Sequence, residues 1–434
     1  MNFTNRQNMK ARRSSVVSAC LLLALGAIAQ TTKEEMFETI EKTAGVYYAY
    51  PVEEAVEYTQ APDGYEPFYI SHFGRHGSRY LILETDYTNP IREMERAEKA
   101  GALSELGKDA LSRLRAIYDE AEGRAEDLSP LGARQHRGIA ERMTAAFPEV
   151  FGDGKKISAR SSIILRCAMS MAAFCDRLKE LNPTLQITYE SSKKYMPYLT
   201  GRSAEANAFT GANGVWRNSY NTFRDAHTNP DRFVSALFAD SAYVKQYVDP
   251  KALMWQFYWV ASDVQNMETE ATLYDLFTKQ ELFDLWQCFN YQFYCTNANH
   301  ADSNGAVKDS YKPLLRNIIE SADEAIAKGD IAATLRFAHD SNITPLAALM
   351  GIENYGVAVK SPETLYTHWT DFKVSPMAAN LQIVFYKKKA KTDGDILVKF
   401  LLNEQEVHVP VETDSFPYYK WDDVRAYYGQ LAGM

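Results

Sequence analysis

The run Phe68-Tyr69-Ile70-Ser71-His72-Phe73-Gly74-Arg75-His76-Gly77-Ser78-Arg79 decides the fold. From Phe68 to Phe73 it is apolar and aromatic, the composition of a buried strand. The pattern breaks at Gly74, and a tight cluster of one histidine and two arginines follows: Arg75, His76 and Arg79. A buried strand that meets a glycine and a charged cluster is how an α/β sheet presents chemistry at a strand's carboxyl end. Two later stretches repeat the design. Lys155 to Arg160 alternates as a short strand, and an apolar-striped helix follows from about Ser162 to Leu181, carrying Arg166. Ala333 to Ala338 is a third buried strand, ending in His339-Asp340, with Ser341 or Asn342 placed to cap a helix through Met350.

Around these junctions the remaining chain falls into place. Leu128-Ser129-Pro130-Leu131 predicts a helix start, with Ser129 as N-cap and Pro130 in the first turn. Pro90 to Ile117 reads as two amphipathic helices broken near Gly101, and the tail returns to strand at Asn380–Tyr386, Ile396–Leu402 and Val407–Val409. Between 186 and 330 the chain becomes rich in Tyr, Trp, Asn and Phe and mostly helical in pattern. The expected architecture is a doubly wound, mostly parallel α/β sheet flanked by helices. Its core comprises 30–185 and 331–434, and 186–330 is an inserted, mainly helical cap.

Residues 1–29 are set apart from the fold. Arg6, Lys10, Arg12 and Arg13 precede the apolar run Val16 to Ala29, and Ala27-Ile28-Ala29 offers a small-residue cleavage site after Ala29. This is the pattern of a secretory signal peptide, too short to span a bilayer, which takes ~20 residues. Its loss removes four basic residues and no acidic ones, taking the formal charge of the 434-residue chain from -9 to -13. The mature chain is therefore expected to be secreted or periplasmic, free of the membrane, and a poor ligand for nucleic acid. Export permits disulfides. Cys167 with Cys175, and Cys288 with Cys295, sit two helical turns apart, so only cross-pairing between the segments or free thiols remain open.

In a doubly wound sheet the three strand ends lie along one edge, bringing Arg75, His76, Arg79, Arg160, Arg166, His339 and Asp340 within reach of one another. Arginine forks match phosphate oxygens in charge and geometry, and a neutral histidine beside such an anion is a competent nucleophile at phosphorus. Positioning and charge neutralisation carry most of phosphoryl transfer, and arginines supply both without a metal or cofactor. His72 and His76 stand four apart, but on strand and turn rather than helix, and the glutamate of HExxH is missing, so paired zinc ligation is disfavoured.

At this point the chain resembles the histidine acid phosphatases, the branch of the histidine phosphatase superfamily that includes phytases and multiple inositol polyphosphate phosphatases. Arg75-His76-Gly77-Ser78-Arg79 matches RHGxR, and Arg160-Ser161 with Arg166 and Ser170 matches R-S-x(4)-R-x(3)-S. His339-Asp340 matches HD, and Leu401 to Pro410 resembles a closing hairpin. The resemblance implies a secreted phosphomonoesterase acting on small-molecule phosphate esters, with phytate or related inositol phosphates as the leading substrates. His76 would accept the phosphoryl group, and Arg75, Arg79, Arg166 and His339 would hold it. Asp340 would protonate the leaving alcohol, which favours an acidic optimum, while Arg160 and Gly77 would stand behind the contacts. The alternatives are a broad acid phosphatase on small monoesters and a noncatalytic phosphate-ligand-binding protein on the same fold. Leu81 stands where phytase-like members often have proline, and Cys167 where threonine is usual. The inositol polyphosphate branch usually has HAE in place of HD, yet Arg79-Tyr80 resembles that branch. Lys193, Lys194, Arg202, Arg217 and Arg224 are candidates for extra phosphates, weighed against a solvated charged face. His72 and His136 read as packed residues.

Overall fold

The structure, a computed structural model, describes residues 32–51, 56–389 and 395–434; the leader read at 1–29 lies outside them. Eight strands form one sheet: β1 (Tyr65–Arg75), β2 (Lys156–Ser161), β3 (Gln186–Ser191), β4 (Ala333–Ala338), β5 (Asn380–Lys388), β6 (Leu397–Leu402), β7 (Gln405–Glu406) and β8 (Tyr419–Lys420). The order is β3-β2-β4-β1-β5-β6-β7, with β8 paired to β6. The four strands from β3 to β1 are parallel, and every pairing from β1·β5 outward is antiparallel. The difference follows from the connections. β1, β2 and β3 are followed by long helical segments, while β5, β6 and β7 succeed one another within a few residues, which only antiparallel pairing permits.

Both faces of the sheet are covered. Helices Pro130–Ala146 and Leu165–Leu181 pack Ile139, Met143, Phe174 and Leu178 against Ile70, Ile157, Leu335 and Phe337. The opposite face meets helices Lys312–Lys328, Asp340–Met350 and Trp421–Ala432 through Leu314, Ile318, Ile343 and Val424, packed with Tyr69, Phe73 and Phe385. Ser129 caps its helix as its sequence predicts, its hydroxyl accepting from Gly132 N at 3.3 Å. The helix after β4 starts two or three residues earlier than expected. His339 is the N-cap, because the Asn342 side chain reaches back to accept from its backbone N–H at 3.0 Å.

Between β3 and β4 the chain is helical, with long helices at Pro250–Val264 and Lys279–Asn297. The first six residues of the 186–330 block are not helical: they are β3, hydrogen-bonded along β2 from Lys156↔Gln186 to Ser161↔Ser191. As an edge strand it is largely solvated and lacks the apolar run that marks β1 and β4. The segment Ile40–Tyr47 is clasped by the helical block: Tyr258 donates to Thr43 O at 2.7 Å and Asn266 Nδ2 to Tyr47 O at 2.9 Å. All four cysteines described are free and buried. Among the described residues no helix is long and apolar enough to cross a membrane.

Candidate active site

The register places three strand ends side by side. Arg75 lies opposite Ala338 across β1·β4, and Ser161 opposite Phe337 across β2·β4. Backbone bonds continue past the strands, with His76 N donating to Ala338 O at 2.9 Å and Ser162 N to Phe337 O at 2.9 Å. The residues that follow, His76, Ser162 and His339, therefore come off one edge together. The rings of His76 and His339 face each other edge-on, centroids 5.6 Å apart.

His76 is buried, and its Nδ1 lies 2.9 Å from Gly77 O. A carbonyl only accepts, so this bond places the proton on Nδ1 and leaves the lone pair on Nε2. Burial, then Arg75, Arg79, His339 and Arg166, hold its pKa well below the ordinary value, so the ring stays neutral into the acid range. Glycine is required at 77: a Cβ there would come within 2.4 Å of Gly132 O, at the start of helix Pro130–Ala146. Gly77 N donates to Ser170 Oγ at 3.1 Å, and Ser78 N to Gln135 Oε1 at 2.8 Å, tying the loop to both helices on that face.

Arg75 is fully buried. Its Nη1 donates to Val46 O at 2.5 Å and Ser375 O at 2.8 Å, and its Nη2 pairs with Asp340 Oδ2 at 2.9 Å. Burial lowers its pKa to about 10, still far above any working pH. Arg79 donates to Tyr80 O at 2.7 Å and to Tyr47 OH at 3.4 Å, its guanidinium stacked 4.9 Å above the Tyr47 ring. Arg166, on helix Leu165–Leu181, meets Glu126 Oε2 at 3.0 Å. His339 has Ser162 Oγ 3.3 Å from Nε2 and the Cys167 sulfur 3.7 Å from both ring nitrogens; burial first pushes its pKa down to about 4. Asp340 is the first residue of helix Asp340–Met350. Burial raises its pKa, but Arg75, Arg79 and His339 outweigh burial and hold the carboxyl below its usual value. The result is a neutral imidazole, a ring of fixed cations and one carboxyl beside them. In charge and geometry the arrangement suits a phosphoryl dianion.

Arg160 is the sequence-selected residue that stands apart. β2 alternates faces, and Arg160 points to the side of helix Lys312–Lys328, pairing with Glu190 at 3.3 Å and lying 4.6 Å over the Tyr195 ring. Arg166 sits on the helix covering the other face. Arg202, Arg217 and Arg224 have structural engagements: Arg202 donates to Thr296 O, Arg217 to Gly211 O, and Arg224 stacks on Trp255. Tyr47, Glu126, Gln135 and Ser162 were not singled out by sequence, since each reaches the site through a long-range contact that leaves no local pattern. Leu81 now has a physical reason. Its backbone N–H donates to Tyr87 OH at 2.8 Å, and Tyr87 donates to buried Asp263 at 2.5 Å; a proline at 81 has no N–H to give. Among the described residues no three His, Cys, Asp or Glu side chains are grouped to hold a metal ion.

The chain and its fold resemble known proteins. The chain is 23% identical over 390 residues to multiple inositol polyphosphate phosphatase 1 of Gallus gallus, covering 86% of this chain and 84% of that protein. Its fold matches Bifidobacterium longum multiple inositol polyphosphate phosphatase, solved in complex with inositol hexasulfate. The TM-score there is 0.74 at 20% identity, over 89% of this chain and 97% of that one. It also matches the phytase from D. castellii, with a TM-score of 0.70 at 14% identity over 90% and 85% of the two chains. The family model of the histidine phosphatase superfamily, branch 2, matches residues 74–403, from the glycine before Arg75 to the turn after β6. With RHGxR, Arg166 and His339-Asp340 gathered at one sheet edge inside that span, the chain belongs to the histidine phosphatase superfamily, branch 2, and is an enzyme of the phosphomonoesterase kind.

Proposed function

We propose that this protein hydrolyses phosphate monoesters through a phosphohistidine on His76, with inositol phosphates as its substrates. The observation that carries the reading is the His76 tautomer, with Nδ1 tied to Gly77 O and Nε2 free among the arginines. Nε2 attacks phosphorus in line, a P–N bond forms and the ester P–O bond breaks. Arg75, Arg79 and Arg166 hold the non-bridging oxygens, with His339 beside them. Asp340, protonated, gives its proton to the departing alkoxide. In the second half the Asp340 carboxylate takes a proton from water as that water attacks phosphorus. The P–N bond then breaks and orthophosphate leaves, with His76 neutral again. The phosphoryl charge offsets Arg75 and Arg79, which otherwise keep Asp340 ionised. The depressed pKa of His76 lets a neutral nucleophile coexist with a protonated Asp340 in acid.

Support for inositol phosphates comes from the relatives, one named for them and one solved with inositol hexasulfate. The reading includes export of the mature chain by the leader at 1–29. It also gives the helical residues after β3, through 330, the part of a cap over the strand ends. The internal engagement of Arg202, Arg217 and Arg224 favours a second reading, a broad phosphatase of small monoesters, because those cations are then less free for additional phosphates.

Two measurements decide. Acid-quenched enzyme incubated with labelled substrate is expected to retain label on His76; full turnover by His76→Ala removes the mechanism. The ratio of kcat/KM on inositol hexakisphosphate to that on an aryl phosphate is expected to exceed one. A large preference for the aryl ester selects the second reading.

A further inference from the structure

The loop between helices Glu105–Ala121 and Pro130–Ala146 carries an acid to the mouth of this cationic site. Glu126 Oε2 accepts from Arg166 Nη1 at 3.0 Å; the arginine side chain is 11% exposed and the glutamate 58%. Arg166 is electrostatically part of the site, since its charge helps depress both His76 and His339. The Glu126 backbone is left-handed, with φ +61°, a conformation that favours glycine over residues with a side chain. Such departures persist where surrounding bonds over-determine them, and here they do. Glu126 N donates to Leu81 O at 2.8 Å, Tyr80 N to Asp127 O at 3.1 Å and Ser129 N to Ser78 O at 2.9 Å. The loop is thereby laced to the segment that carries Arg79. The carboxylate thus sits on Arg166, on a loop whose backbone is tied to the segment of Arg79.

What flanks the pair is apolar. Ile82 and Leu83, just past the Arg79 segment, and Ile163 and Leu165, beside Arg166, are all exposed. The nearby cation Arg124 is stacked 4.4 Å over the Tyr80 ring. The charge this loop sets beside Arg166 is the negative one of Glu126.

We propose that Glu126 is a charge selector: by holding one donor of Arg166 and keeping a negative charge at the rim, it disfavours substrates with phosphates crowded around the scissile group relative to those with one. The inference rests on the phosphomonoesterase reading. Within the inositol phosphates it places the preference of this chain toward the less phosphorylated members.

The test uses the full mature chain at pH 6, where exposed carboxylates are ionised, at fixed ionic strength. Wild type is compared with Glu126→Gln and with Glu126→Asn, the latter being tolerant of left-handed backbone. The ratio of kcat/KM on inositol hexakisphosphate to kcat/KM on an aryl phosphate is expected to rise about three- to fivefold in both variants. The rise should appear in KM for the hexakisphosphate and shrink with added salt. An unchanged ratio overturns the selector, as does an equal fall on both substrates, which would make Glu126 only a prop for Arg166. Wild type that turns over neither substrate removes the phosphatase reading itself.

Discussion

His72 and His76 lie four residues apart on the same chain segment, both buried, and both hold their protons more weakly than a free histidine. His72 sits within β1 on the face covered by helix Leu165–Leu181, its ring 5.2 Å from those of Phe174 and Phe337. Neither of its nitrogens meets a hydrogen-bond partner among the described residues. Burial, then His136 and Arg336, lower its pKa to about 3. His76 lies just past the strand, where the backbone leaves the sheet and charged side chains can gather. A buried histidine with a depressed pKa is thus no mark of catalysis. What separates the two is the tether on Nδ1 and the arginines around Nε2.

The largest test of that contrast is turnover. His76→Ala is expected to lower kcat by about 10^4-fold or more, since it removes the proposed acceptor of the phosphoryl group. His72→Leu should leave kcat/KM within about twofold, with thermal stability at neutral pH unchanged or slightly raised, because a buried polar ring without partners gives way to an apolar one. Activity lost equally in both would dissolve the distinction. Asp340→Asn comes next, at about 10^2- to 10^4-fold. The loss should be greater on an alkyl phosphate than on a nitrophenyl phosphate, whose leaving group needs no proton. Equal losses on both would remove Asp340 as the acid. The two arginines near β2 sharpen the same lesson at smaller scale. Arg166→Ala should lower kcat/KM by about 10- to 100-fold, the worth of one charge-assisted hydrogen bond, roughly 1.5–3 kcal/mol. Arg160→Ala should change it by less than about twofold, and its half-exposed pair with Glu190 is worth at most about 1 kcal/mol of stability. A large loss in Arg160→Ala would put it back at the site.

How much of this was legible in sequence follows the same division between local and remote. The strand Ala333–Ala338, the Ser129 cap and the three charged strand ends are local patterns, an apolar run or a capping residue beside its helix, and they read directly. β3 escaped because an edge strand with one half-covered face needs no apolar run; the alternation of Ile187 and Tyr189 was its only trace. Tyr47 reaches Arg79 because helix Pro250–Val264 and the residues after it clasp the Ile40–Tyr47 segment, a packing event separated from Tyr47 by more than two hundred residues. Arg160 and Arg166 both flank the β2 junction, Arg160 expected behind the contacts and Arg166 at the phosphate, but the chain alone gave neither a face. The pleat sends one below the sheet, and the helix start carries the other above its edge. That distinction depends on which face each element buries, which neither residue states alone.

The smallest test asks what the packed histidine contributes away from neutrality. The unfolded chain protonates His72 near ~6.5, whereas the folded protein does so only at about 3. Between those values the unfolded state binds the extra proton, so this histidine's stabilisation is complete above ~6.5 and declines as the solution is acidified. At pH 5 the decline amounts to about 2 kcal/mol. His136, lowered to about 4 chiefly by burial, acts in the same direction. The buried carboxyls of Asp263 and Asp371 act in the other: burial raises both to about 7, so the folded state binds their protons first and gains stability on acidification. The net curve of the wild type is therefore a balance of opposing groups, and the informative quantity is a difference. Urea unfolding of His72→Leu and wild type should show the variant gaining on the wild type by about 2 kcal/mol between pH 7 and pH 5. A constant gap across that range would mean that His72 is protonated in the folded protein. In that case its ring has a charge-stabilising partner, and the contrast with His76 rests on position alone.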